Sequence, residues 1–140
     1  MRRVFKNNKL NILNMDEIKN IIDELGIIAL ETNIKIAAVA VVSDSGKLVF
    51  QTENWDLTNQ TKIILKVIKG DKSFVLSKVE YSVVETTSEG IVGTSVSGMG
   101  HVLFVPFQGG VLLSYAMPQA DTAKAIIFLK NFAMRLNGKV

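Results

Sequence analysis

No cysteine occurs in the 140-residue chain. A disulfide framework, a thiolate metal site and a cysteine nucleophile are therefore excluded, and the composition suits a reducing compartment. There is one histidine, so metal motifs built on a histidine pair are excluded too. Two prolines and ten glycines are too few for collagen, a proline-rich spacer or a flexible low-complexity tract. Long apolar runs are missing as well: the longest, residues 36–42, falls far short of the roughly 18 residues that cross a bilayer. The stretch MRRVFKNNKLN is basic but has no apolar h-region and no small-residue cleavage site, so a cleaved leader is not expected. Against these absences stand 48% hydrophobic and 21% charged residues, material for one domain with a real core.

The formal net charge is +3, and its location matters more than its size. Arg2, Arg3, Lys6 and Lys9 precede every acid, so residues 1–14 read as a basic N-terminal arm and residues 15–140 as a nearly neutral single domain. A nucleic-acid footprint would instead spread Lys and Arg over one face of the fold, and no nucleic-acid partner is expected. One further cluster, Lys62, Lys66, Lys69, Lys72 and Lys78, is interrupted only by Asp71.

Asn14, three residues before Glu17, has the spacing of a capping box. It predicts a helix whose inward stripe is Ile18, Ile21, Ile22, Leu25 and Ile28, ending near Thr32-Asn33. Residues 36–43 read as a buried strand, Asp44-Ser45-Gly46 as a turn and residues 47–51 as the returning strand. Asp56 or Thr58 is placed to cap a second helix carrying Ile64, Leu65, Val67 and Ile68, with Gly70 as its left-handed stop. Residues 71–77 read as a further helical turn or a loop, with Phe74 inward. Four strands follow, over residues 78–85, 91–97, 101–107 and 111–117. The turns between them are too short for parallel crossovers, so neighbours are antiparallel. Pro118 ends the last strand, and Gln119 or Asp121 opens a final helix with Ala125, Phe128, Leu129, Phe132 and Met134 or Leu136 inward and Gly138 after its end. Terminal helices around such a meander predict an α+β domain, an antiparallel sheet covered by helices.

Little catalytic chemistry is on offer. His101 enters a strand after Ser97-Gly98-Met99-Gly100, and no Gly-x-Ser-x-Gly elbow accompanies it, so a structural role is expected. Gly98-Met99-Gly100 is followed by a strand, not by the helix N-terminus that a phosphate cradle needs. Asp44-Ser45-Gly46 lacks the further oxygen ligands of a calcium loop. No catalytic residue, metal or cofactor is expected, and the residues point to a binding module. Lys62, Lys66 and Lys69 share one helical stripe. This fits either an ordinary solvated face or a patch that meets an acidic protein surface or an anionic phospholipid.

The pattern along residues 55–136 resembles the profilin family. Trp55-Asp56-Leu57-Thr58 is similar to the aromatic and helix start that precede that family's second helix. Residues 64–74, ILKVIKGDKSF, resemble its helix, lysine-glycine and buried aromatic. Lys78-Val79-Glu80-Tyr81-Ser82-Val83-Val84, residues 90–97, the Ser97-Gly98-Met99-Gly100 turn and residues 120–136 resemble its later strands, glycine turn and C-terminal helix. The form is divergent, of the kind found in Asgard archaea. The resemblance implies a profilin-like central antiparallel sheet, with N- and C-terminal helices on one face and short helices on the other. It also implies a cytoplasmic, cytoskeletal monomer that binds monomeric actin and regulates its polymerisation. By position, the actin contacts it implies are Phe74, Lys78, Val96, Met99, His101, Leu103, Gln119, Asp121 and Lys124. Anionic phospholipid is a second partner the family relation admits. Polyproline needs an aromatic-lined groove. The first helix has no Trp or Tyr, and Val49 or Phe50 stands where a family Trp is expected, so weak or absent polyproline binding is expected. The alternatives are a roadblock/longin-like dimeric scaffold that binds a small GTPase, a fold with typically three strands before its last helix, and an enzyme using His101.

Overall fold

Isoleucine, valine and alanine fill residues 36–42 with no polar break, and a strand so composed needs cover on both faces. In the computed structural model, which describes residues 2–140 and side chains from residue 14 onward, both faces are covered. The chain runs through α1 (Arg2–Glu31), β1 (Ile36–Ser43), β2 (Leu48–Gln51), α2 (Thr61–Lys69) and β3 (Ser73–Leu76). It continues through β4 (Val79–Thr86), β5 (Ile91–Ser95), β6 (His101–Phe107), β7 (Gly110–Ala116) and α3 (Thr122–Leu136). One seven-stranded sheet has the order β2-β1-β7-β6-β5-β4-β3, and every neighbouring pair is antiparallel.

Alternation along each strand sends side chains into two cores. On one face Ile18, Ile22 and Leu25 of α1 and Ala125, Leu129 and Leu136 of α3 bury Val39, Val41, Leu103, Val105 and Leu112. On the other, Trp55, Leu57 and the α2 residues Ile64 and Val67 pack against Ala40, Val42, Val102, Phe104 and Leu113. The α+β architecture with both terminal helices on one face is as expected. Among the described residues the opposite face carries one helix, not several.

The elements depart from expectation in three places. Helix α1 runs through Asn14 from Arg2, so no helix starts there; residues 2–13 contain no Gly or Pro to stop it. Glu17 is not a capping partner but an ion-pair partner of Lys139 at 2.6 Å. The side chains of Arg2, Arg3, Lys6 and Lys9 lie outside the described residues. Helix α2 begins after Gln60, which makes no side-chain cap. Asp56 instead accepts from the backbone N–H and hydroxyl of Thr58, closing a turn ahead of the helix, and these bonds hold its carboxyl below the usual range. Gly70, with φ of 123°, does supply the stop.

The third departure is β3, which occupies residues read as a helical turn or loop. Ser73 and Val75 are exposed while Phe74 and Leu76 are buried, a period of two too short to stand out against the flanking glycine and lysines. Five strands, not four, therefore separate α2 from α3. Phe74 stacks on Tyr81 at 5.2 Å and meets Phe104 edge-on at 5.4 Å. It lies where a Cβ on Gly93 would come within 2.6 Å of its ring, so only glycine fits opposite. Burial in this cluster pushes the Tyr81 phenol above its ordinary 10.0.

Candidate functional site

Helix α3 packs on β6 and β7, and α1 packs on β1 and β2. Strands β3 and β4 and the end of β5 leave the same sheet face open. Cross-strand pairing decides which residues share it. Ser73 lies opposite Ser82, Ser82 opposite Thr94 and Thr94 opposite His101, a row across four strands. Val75 opposite Glu80 forms the next rung. Around this polar row stand large exposed apolar side chains: Val75, Val84 at an irregularity in β4, Val96 just past β5, and Met99. Val84 keeps 62% and Val96 65% of its surface in contact with solvent. The Val96 N–H donates to the Glu80 carbonyl at 3.1 Å, which extends the β4–β5 ladder and fixes the valine.

The turns at this end are rigid. Ser77 and Lys78, the two central residues of the β3–β4 hairpin, both have positive φ, 50° and 67°, as a primed two-residue turn demands. Between β5 and β6, the Tyr115 hydroxyl donates to the Met99 carbonyl at 2.5 Å. A Cβ on Gly100 would come within 2.6 Å of the Ala116 carbonyl oxygen, so glycine is required there. One His101 nitrogen faces the Pro118 carbonyl at 3.2 Å and the other the Thr94 hydroxyl at 2.9 Å. A carbonyl only accepts, so Nε2 carries the hydrogen and, in the neutral ring, Nδ1 accepts from Thr94. With both nitrogens engaged, His101 ties the β6 start to the β7–α3 turn. Among the described residues no group of three His, Cys, Asp or Glu could hold a metal.

The structure brings Val96, Met99, His101 and Gln119 to one end of the sheet, with Lys78 at the tip of the adjoining hairpin. It does not expose Leu103 or Phe74 there. Leu103 has no exposed surface and lies in the α1–α3 core. Phe74 is buried on the α2 side. Leu103 lies beneath α1 and α3, and the Phe74 ring points into the α2-side core, away from the open face of β3. The Asp121 carboxylate accepts from the Lys124 N–H at 3.1 Å and caps α3. Ile126 abuts Gly90 at the start of β5. Lys124 is exposed on the first turn of α3. Ile127, next to Ile126 in sequence, is exposed.

The sequence does not single out Val75, Glu80, Ser82 and Val84 on this face, though the exposed–buried alternation over 73–76 is a usable signal. Lys62, Lys66 and Lys69 are all exposed on α2, on the opposite side of the sheet, so a partner drawn to them would occupy a separate surface. A third surface, a cleft of about 420 Å³ between α1, the β1–β2 hairpin and the C-terminal residues, is lined by Met15, Ile18, Leu48, Val49 and Val140 with polar neighbours. No aromatic ring lines it among the described residues.

No protein-family model matches the chain. Loki profilin-2 of Lokiarchaeum sp. (strain GC14_75) is 33% identical over 132 residues, which span 86% of this chain and 96% of that protein. Among solved structures, the LokiProfilin2/rabbit actin complex matches with a TM-score of 0.74 and 32% identity, over 85% of this chain and 94% of that one. The LokiProfilin1/rabbit actin complex matches with a TM-score of 0.79 and 27% identity, over 89% and 97%.

Proposed function

The chain belongs to the profilin family, and from that membership we propose that it binds monomeric actin and regulates actin polymerisation. The observation that carries the reading is the pair of similar structures solved as complexes with rabbit actin. The open face of β3, β4 and β5 supports it physically. A partner docking there buries Val75, Val84 and Val96 against apolar groups and meets the Ser73 and Ser82 side of the polar row. The protein acts by surface complementarity, without making or breaking bonds; the engaged nitrogens of His101 support that reading. Its place is with the actin cytoskeleton. No helix among the described residues is long and apolar enough to cross a membrane. The dimeric scaffold for a small GTPase is not favoured.

The test is assembly of pyrene-labelled rabbit actin with the full chain in micromolar excess. Slower nucleation and less filament are expected; unchanged assembly would overturn the reading. Simple polyproline binds weakly or not at all, since the cleft beside α1 offers no ring among its described residues for proline to stack on. Calorimetric titration with a decaproline peptide should give no saturable heat, and micromolar affinity would contradict this.

A further inference from the structure

The last turn of α1 leaves apolar surface that the fold does not cover. Leu30 is 85% exposed and Met117, just past β7, is 38% exposed. With Ala29, Ile36 and Gln119 they help to enclose an open cleft of about 280 Å³. Its walls are held firmly. The α1–β1 turn passes through two left-handed residues that are not glycine, Asn33 at φ 57° and Lys35 at φ 65°, conformations that persist only where the surroundings enforce them. Here the Ile34 N–H donates to the Ala29 carbonyl at 2.9 Å and the Met117 N–H to the Lys35 carbonyl at 3.0 Å.

This cleft is continuous with the open face. Gln119 forms part of its wall and follows Pro118, whose carbonyl accepts from His101, the β6 end of the polar row. A partner that covers His101 and Gln119 reaches the cleft without a break. We propose that bound actin extends over this corner and seats an apolar side chain in the cleft, with Leu30 as the principal contact. The inference rests on the actin reading above. A second copy of the chain is the weaker occupant. A cleft of this volume holds one side chain, whereas a stable dimer needs roughly 800 Å² from each partner.

The test compares Leu30→Lys with Val84→Asp, the latter in the open face. Lysine keeps a good helix propensity and suits the C-terminal turn of a helix, so the fold should be retained and the melting temperature unchanged. Losing burial of the leucine should weaken rabbit actin binding about tenfold, and Leu30→Ala, which adds no charge, should give a smaller loss in the same direction. Unaltered binding by both Leu30 variants while Val84→Asp weakens it would overturn the corner contact and leave the actin reading standing. If Val84→Asp and Leu30→Lys both leave binding intact, the corner contact is overturned and so is the face assigned to actin. A concentration-dependent dimer, seen by sedimentation and lost in Leu30→Lys, would assign the corner to a second copy instead.

Discussion

Two halves of one sheet face behave differently. Over β1, β7 and β6 the helices α1 and α3 lie close, and the strands bury nearly every side chain: Ala38 to Ser43 and Val102 to Val105 are buried without interruption. Over β3 and β4 no helix follows, and burial alternates or lapses. The same backbone pairing thus serves two ends. Where helices cover the sheet, alternation feeds two cores and yields stability. Where they stop, half of each strand's side chains are free to meet another molecule, and the sheet behind them supplies rigidity. A recognition face here needs no loop or cavity, only the omission of a covering layer.

That contrast can be broken from either side. The largest effect is expected in the strands covered on both faces: on the α2 side of β6, Phe104→Ala empties a site with no exposed surface beside Phe74. It should cost about 3–5 kcal/mol of stability in chemical denaturation, with actin binding following the loss of fold. Val84→Asp should do the reverse. An exposed position tolerates the change to within about 0.5 kcal/mol of stability, while a charge against the buried centre of an interface should cost about 2 kcal/mol, some thirtyfold in actin affinity. A melting curve beside a binding titration separates the two, and a Val84 variant that unfolds would erase the distinction. The smallest effect belongs to the seam between the covering helices. Arg135 of α3 pairs with Glu24 of α1 at 2.7 Å and lies over the Phe132 ring. Both partners are about half exposed, so Arg135→Ala should lower stability by about 0.2–1 kcal/mol, less at high salt, and leave actin binding as it was.

The covered half was legible in the sequence because its patterns are long: the α1 and α3 stripes and the runs in β1 and β6 each reach across several turns or pairs. The open half was harder, for a physical reason. Strand β3 has four residues and alternates only twice, and its inward Phe74 resembles an isolated buried aromatic as readily as half of a strand. Leu103 illustrates the converse. In a strand packed on both sides, neighbouring residues are equally apolar, so nothing local reveals which of Val102 and Leu103 faces which layer, or that neither reaches solvent. His101 and the glycine turn were found because turn chemistry is written in a few residues. The Asn14 cap failed because a cap acts only where the preceding chain declines to be helical.

The Ser77-Lys78 hairpin shows how stability and recognition contend for the same ground. Two-residue turns of this hand favour Asn-Gly, and a version of this protein tuned only for heat resistance would carry that pair. Keeping serine and lysine in left-handed conformations leaves about 1–3 kcal/mol of strain at each residue. In exchange, a cation stands at the tip of the outermost hairpin, beside the open face. Selection for thermal tolerance and selection for the partner would pull these two positions in opposite directions, and homologues from hot and temperate settings should divide there.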